Sequence, residues 1–227
     1  MSCAKPFHDR SVAVRWTVLL LLLWKGFVLC AQNSHTAVFT QDTISDALLA
    51  RMKKGNTWKA STPPSLRAEL RYLRMSYRDA EGVPQVGEMV VNRRIADRVL
   101  RIFRKLYEAD YRIERMRLLD DYNGDDEAAM QDNNTSCFNF RYIARSKKIS
   151  KHGYGLAIDL NPLYNPYVKG SYVQPAAGKP FAFNRDRRKD IPYKIDRNDL
   201  ACRLFLAEGF RWGGDWRSLK DYQHFEY

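Results

Sequence analysis

The feature that most constrains this chain is a set of metal-binding side chains divided between two distant segments. His152 and Asp159 lie in one glycine-containing stretch, and Asp221 and His224 lie among the last residues. A catalytic zinc ion takes three protein ligands, keeps a fourth position for water, and works beside a carboxylate that accepts the water's proton. His152, Asp159 and His224 are therefore candidate ligands, and Asp221 is the candidate base. The pattern favours a hydrolase whose fold brings the two segments together.

The surroundings of the first two candidates suit a metal site. The glycines between His152 and Asp159 favour a tight turn over a continuous helix. Asp159 stands between Ile158 and Leu160, an apolar setting in which an unpaired carboxylate is costly. A bound cation would remove that cost.

The C-terminal segment predicts a strand with a polar face. His224 and Glu226 are two residues apart, so they share one face of a strand while Phe225 points the other way. Glu226 is therefore predicted to orient His224 by contacting it on the side away from the metal, or to form a surface ion pair. Asp221 lies three residues before His224, so its role as base requires a turn just before the strand.

These positions resemble the signature of a known family, the zinc D-alanyl-D-alanine carboxypeptidases and dipeptidases of the VanY/VanX type, with phage L-alanyl-D-glutamate endopeptidases as relatives. That signature is Ser-x-His-x-x-Gly-x-Ala-x-Asp, followed far downstream by an acidic residue, two residues and a histidine. It is met at Ser150, His152, Gly155, Ala157, Asp159, Asp221 and His224. The runs 209–216 and 132–141 are also typical of this branch, and the similarity covers roughly residues 66–227.

The resemblance implies a fold, a cofactor and a substrate. The fold is expected to be α+β, a single domain with a mainly antiparallel sheet and flanking helices, Hedgehog/D-Ala-D-Ala-peptidase-like. One zinc ion per chain is expected on His152, Asp159 and His224, with Asp221 activating the water. Ser150 is expected to hydrogen-bond the substrate's terminal carboxylate, or else to be a turn serine. The expected substrate is a peptidoglycan stem peptide.

Arg141 is the candidate for holding the substrate. It follows a stretch that resembles the family's substrate-facing loop. The planar guanidinium can bind a carboxylate through two hydrogen bonds or stabilise the oxyanion of the tetrahedral intermediate. The alternative is an ordinary surface arginine in a basic protein.

The N-terminal residues 1–31 have the pattern of a secretory signal or membrane anchor. Basic residues precede an apolar stretch over 16–24, which Lys25 interrupts. A bilayer-spanning helix needs about 20 apolar residues. A cleaved signal is therefore favoured, with an uncleaved anchor and a lipid-modified Cys30 as alternatives. We expect an exported protein of the periplasm or cell envelope, with an N-terminal extension over 32–65 and a catalytic domain over 66–227.

Charge and cysteine content describe the partners and the redox state. The net charge of +12 indicates an anionic partner, unless the basic surface is unused. Because the leader indicates export, anionic wall polymer or membrane headgroups are expected rather than nucleic acid. Cys137 and Cys202 are the only cysteines after the leader and could form a disulfide. A monomer is expected.

Periodicity predicts the elements around the site. The predicted helices are 43–52, a helix capped by Asn92 with apolar positions from Ile95 to Leu106, and 199–208 closed by Gly209; the predicted strands are 70–92 as a hairpin, 116–119, 138–143, 157–160, 210–212 and 222–227, with 162–196 as a surface excursion beside the cleft.

The sequence favours a D,D-carboxypeptidase and leaves two alternatives. An L-alanyl-D-glutamate endopeptidase would use the same metal site. A catalytically silent zinc module that binds wall or protein, as the related fold does in Hedgehog signalling domains, would not need Asp221.

Overall fold

The computed structural model describes Met1 and residues 36–143 and 146–227, so the predicted leader lies outside the described residues. Within these residues, no helix is both long enough and apolar enough to cross a bilayer. The helices are α1 (Asp46–Lys54), α2 (Leu66–Glu69), α3 (Ala96–Glu108), α4 (Asp126–Gln131) and α5 (Leu200–Ala207). The strands are β1 (Phe39–Thr43), β2 (Leu70–Arg78), β3 (Pro84–Asn92), β4 (Ala157–Asp159), β5 (Tyr167–Lys169), β6 (Tyr172–Gln174), β7 (Arg211–Trp212), β8 (Lys220–Asp221) and β9 (His224–Glu226).

The strands form three antiparallel sheets of three strands each, with the orders β1-β2-β3, β4-β9-β7 and β6-β5-β8. Helices and small antiparallel sheets together confirm an α+β architecture. The expected single main sheet is wrong, because the strands around the site are only two or three residues long and form two small sheets of their own.

The hairpin β2–β3 and helix α3 form the largest packed unit, as periodicity predicts. Leu73 and Met75 of β2 alternate with more exposed residues and are fully buried. Helix α3 covers this face with Val99, Ile102 and Phe103, which recur at helical spacing. Strand β1, in the segment predicted as an extension, pairs along β2.

The predicted cap of α3 is wrong. Asn92 is the last residue of β3, and α3 begins four residues later at Ala96 without a side-chain cap. Asn92 instead ties β3 to the turn before β4: its backbone N–H donates to Gly155 and its side-chain amide donates to Tyr154. The hairpin therefore supports the loop that carries the first histidine.

Two predicted strands are absent from the described residues. Over 116–119, the Met116 carbonyl accepts a bond from Glu88, but the next residues form a 3₁₀ turn from Leu119 to Tyr122. Over 138–143, only an isolated bridge between Tyr142 and Ile149 forms. Each segment places apolar side chains such as Leu118 and Phe140 in the core, whereas Tyr142 and Ile143 are exposed. Loops rather than a continuous neighbouring strand satisfy the backbone groups of both segments.

The C-terminal half packs on a second helix. Helix α5 begins at the predicted position, with Asp199 accepting from Ala201 and Cys202, and Gly209 follows it with a φ of +88°. Part of 162–196 is core rather than surface, because Ile195 is buried. Cys137 and Cys202 are buried free thiols, so the structure contains no disulfide between them.

Candidate metal centre and its cleft

Strand pairing brings the predicted ligands together. In the β4–β9 ladder, Asp159 lies directly opposite His224, so their side chains share one face. On the other edge of β4, Asp159 exchanges two backbone hydrogen bonds with Ser136. Strand β4 is thus fixed on both sides, and the carboxylate of Asp159 is placed by the backbone.

His152 reaches the same point from a short 3₁₀ turn, His152–Tyr154, which Gly155 ends in a left-handed conformation with φ of +66°. A Cβ at Gly155 would lie 2.8 Å from the backbone nitrogen of Asn92, so only glycine fits there. The His152 Nδ1 donates to the carbonyl oxygen of Cys137 at 2.7 Å. Because a carbonyl only accepts, the lone pair of His152 lies on Nε2, which faces the other two candidates.

The donor atoms converge on one point. Nε2 of His152 lies 3.3 Å from the Asp159 carboxylate and 3.2 Å from Nδ1 of His224. Nδ1 of His224 lies 3.0 Å from the other Asp159 oxygen. Three ligand atoms, one from each residue, lie within 4.8 Å of one another. Both histidines are buried, so the site can bind a metal ion without much competition from bulk water.

Glu226 lies where the sequence predicts it, on the outer side of His224. Its carboxylate is 3.5 Å from Nε2 of His224, and its other oxygen pairs with Arg211 at 2.6 Å. The contact leaves Nδ1 of His224 to face the cluster. Glu226 therefore makes both contacts that the sequence left as alternatives: it contacts His224 and it forms an ion pair.

The electrostatics of the cluster favour a bound cation. Burial alone would lower the pKa of His224, but hydrogen bonds to Asp159 and Glu226 raise it to about 10. Burial likewise opposes the charge on Asp159, yet the two histidines hold the pKa of its carboxyl well below its ordinary value. A buried carboxylate and two imidazoles form a donor set suited to zinc. The residues present thus fit the expected ion.

Asp221 is the last residue of β8, and a two-residue turn separates it from β9. The predicted position of Asp221 in the turn is wrong, because Asp221 ends strand β8 and the turn follows it. The predicted change of chain direction between Asp221 and His224 is present. Burial raises the pKa of the Asp221 carboxyl to about 6, and Gln223 donates to it at 3.2 Å. A Cβ on Gly213 would lie 2.8 Å from that of Asp221 and 3.3 Å from that of His224. A glycine at 213 therefore makes room for both side chains.

Arg141 and Ser150 also lie at this cleft. Arg141 Nε forms an ion pair with Asp126 at 2.6 Å, and Asn139 donates to the same carboxylate at 2.9 Å. The Ser150 hydroxyl oxygen accepts from the backbone N–H of Gly153 at 3.0 Å. Ser150 therefore has the turn role, which leaves its hydroxyl proton free for a further acceptor.

The candidate residues line one open cleft of about 720 Å³. It includes all three metal-site residues, Asp221, Arg141, Ser150 and Glu226. It also includes residues that the sequence analysis did not identify, although it placed 162–196 beside the cleft: Tyr167, Lys169, Tyr172 and Gln174. The available signal was the period-two pattern on both sides of Gly170, which is typical of a hairpin with one polar face.

The contact of Asp126 with Arg141 and that of the Cys137 carbonyl with His152 are two further contributions that the sequence does not reveal. Each joins residues that are distant in sequence. Such contacts have no local sequence pattern.

Comparison with protein-family models gives a match over the C-terminal part of the chain. The family model of D-alanyl-D-alanine carboxypeptidases matches residues 144–227. No solved structure matches the chain significantly. The matched range contains the three metal-site residues and Asp221, whereas Arg141 precedes it. The match supports a hydrolase of the peptidase class in this C-terminal part of the chain.

Proposed function

We propose that the chain is an exported zinc metallopeptidase of the cell envelope that hydrolyses peptidoglycan stem peptides as a D-alanyl-D-alanine carboxypeptidase, with the fold of that family. The observation that carries the proposal is the convergence of His152, Asp159 and His224 within 4.8 Å, in the cleft that also contains Asp221. A silent binding module has no need of a buried carboxylate beside its metal ligands. The family match over the same residues supports the substrate class.

The reaction assigns a task to each residue. His152, Asp159 and His224 would hold the zinc ion, which when bound supplies Lewis acidity and a lower pKa for water. Asp221 accepts a proton from the attacking water. As the carbon–nitrogen bond breaks, Asp221 returns that proton to the leaving amine. A pKa near 6 suits a carboxyl group that has to take and release a proton near neutral pH.

Arg141 has the complementary task. Its closest ion-pair contact uses Nε, which orients the side chain toward the cleft from the Asp126 side. Its terminal nitrogens can then bind the developing oxyanion or the substrate's terminal carboxylate.

The test combines metal content with product analysis. The purified protein should bind one zinc ion and release free D-alanine from a pentapeptide stem, as measured by elemental analysis and mass spectrometry. His152→Ala should lose the metal. Asp221→Asn should keep the metal and lose about 10²–10⁴-fold in turnover. Asp190→Asn is the matched control, because it makes the same change at an exposed position outside the cleft.

Three outcomes would change the proposal. Near wild-type activity in Asp221→Asn would remove Asp221 from the base role and make Glu226 the next candidate. Cleavage of a stem peptide at the L-alanyl-D-glutamate bond, or equal cleavage when the terminal carboxylate is amidated, would replace the carboxypeptidase with the endopeptidase. A folded, zinc-loaded protein that cleaves no stem peptide would favour the alternative of a catalytically silent zinc module.

A further inference from the structure

The hairpin β5–β6 presents one side to the cleft. Tyr167 lies opposite Gln174, and Lys169 lies opposite Tyr172, and all four line the cleft. Because side chains alternate along a strand, these four share a face while Val168 and Val173 point away. We call this face, formed by Tyr167, Lys169, Tyr172 and Gln174, the hairpin face.

The hairpin face is joined directly to the proposed base. Strand β8 pairs with β5 so that Asp221 lies opposite Tyr167, which places both side chains on the same side of the sheet. Lys169 is two residues further along β5, about 7 Å from Tyr167 at the usual rise of a strand. The hairpin face therefore extends away from the reacting group by the length of one to two residues of an extended peptide.

Among the residues that the structure describes, the charges of the cleft leave one cation without a partner. Among the acidic residues of the lining, Asp126 is paired with Arg141 and Glu226 is paired with Arg211. Asp159 belongs to the metal site, and Asp221 is the proposed base. Lys169 is exposed and has no acidic partner and no hydrogen bond among the described residues, whereas Lys151, the other lysine of the lining, donates to the Tyr227 backbone oxygen at 2.7 Å.

Next to this lysine is an exposed aromatic ring. Tyr172 is 58% exposed, among the most exposed large side chains of the described residues. Its ring meets that of Tyr167 edge-to-face, with centroids 6.1 Å apart. This contact restricts the ring on one side, so that covering a bound chain costs less side-chain entropy than it would for an isolated tyrosine.

We propose that the hairpin face is a specificity subsite for a second carboxylate of the substrate, one to two residues from the scissile bond, with Lys169 as its charged contact and Tyr172 as its cover. The inference rests on the proposed function and adds the substrate feature that the cleft selects. The ligand is a peptide with an acidic group in the chain in addition to the group that Arg141 holds.

The position of the subsite predicts which kinetic constant responds. Lys169 does not contact the reacting atoms, so its contact with substrate is equal in the ground state and the transition state. Loss of such uniform binding raises KM and leaves kcat nearly unchanged.

The experiment compares two synthetic stem peptides that differ at one group, a free carboxylate or a carboxamide one to two residues from the scissile bond. For the wild type, kcat/KM should be about 2–5-fold higher for the carboxylate peptide, the size of one partly exposed charge pair. Lys169→Glu should reverse this preference through KM. Tyr172→Ala should raise KM for both peptides.

Two variants control for charge and for aromatic loss. Lys179→Glu changes the same charge at an exposed position of the same segment outside the cleft, and Phe183→Ala removes an exposed ring outside it. Both should keep the wild-type preference and KM.

The outcomes separate the subsite from the function. A wild type that cleaves both peptides with equal kcat/KM, or a Lys169→Glu variant that keeps the wild-type preference, overturns the subsite and leaves the peptidase in place. If the zinc-loaded wild type cleaves neither peptide and its Asp221→Asn variant binds neither in calorimetry, both proposals fail.

Discussion

A single hydrogen bond decides which nitrogen of His152 is available to a metal ion. Its Nδ1 is used by the carbonyl of Cys137, so Nε2 faces the cluster, whereas His224 faces it with Nδ1 because Glu226 lies near Nε2. The sequence could predict these ligand types from their spacing and setting. It could not predict the nitrogens, because Cys137 is distant from His152 in sequence and acts through its backbone.

Arg141→Lys tests whether the planar guanidinium of Arg141 binds the substrate. Lysine keeps the positive charge and can still pair with Asp126, but it has no planar fork for a second acceptor. We expect kcat/KM to fall by about 10²-fold, the usual loss of an oxyanion donor, with zinc content and melting temperature nearly unchanged. Arg217→Lys, at an exposed position outside the cleft, is the control. Equal activity of Arg141→Lys and wild type would return Arg141 to a surface role.

At the scale of elements, helices and strands with a strongly periodic apolar pattern could be predicted from the sequence. The pairing of short segments with distant parts of the chain could not. The hairpin β2–β3 and helices α3 and α5 bury one face each, so their apolar positions repeat at two or at three to four residues. Residues 116–119 and 138–140 also place apolar side chains in the core, Met116, Leu118 and Phe140 among them. Their backbones bond to loops, and no pattern in the segment itself reports the partner.

Asp199, at the start of α5, is a residue through which we expect the stability of the folded chain to depend on pH. It accepts from two backbone N–H groups, yet burial raises the pKa of its carboxyl to about 6. The folded value lies above the unfolded value of about 3.9, so the folded chain binds this proton more tightly. The contribution of Asp199 to stability is therefore complete below about pH 4 and is lost as pH rises through 6.

Two substitutions at this position separate charge from capping. Asp199→Asn keeps the side-chain oxygen and removes the titration, so between pH 4 and 7 its unfolding free energy should vary less than that of the wild type, by on the order of 2 kcal/mol. Asp199→Ala should lose the cap as well, which costs about 1 kcal/mol relative to Asn. Urea unfolding at several pH values measures both. Parallel pH curves for wild type and Asp199→Asn would contradict the assignment.

At the scale of the whole molecule, the site lies where separate small sheets meet. The sheet β4-β9-β7 carries Asp159 and His224, and the sheet β6-β5-β8 carries Asp221. The sequence indicated that these residues meet, because their chemistry requires it. It did not indicate which walls surround them, since the cleft depends on how the hairpin β5–β6 pairs with the two residues of β8.

Phe225 connects this site to the core and carries the last prediction. It lies between His224 and Glu226 on β9, and its ring stacks on that of Phe205 in α5 with centroids 4.2 Å apart. Phe225→Ala should therefore cost about 3–5 kcal/mol of unfolding free energy, and the smaller change Phe225→Leu should cost less. Chemical unfolding of the metal-free protein measures both values. Phe183→Ala, which removes an exposed ring, should cost little.

The same variants should also respond differently to zinc. Because β9 holds His224, a loosened Phe225 lets the histidine leave the geometry that the ladder with β4 imposes. Phe225→Leu should bind zinc more weakly than wild type, and excess zinc should restore part of its lost stability, since an ion that binds only the folded state stabilises it by mass action. A Phe225→Leu variant with wild-type zinc affinity and lowered stability would show that the core and the metal site are energetically separate.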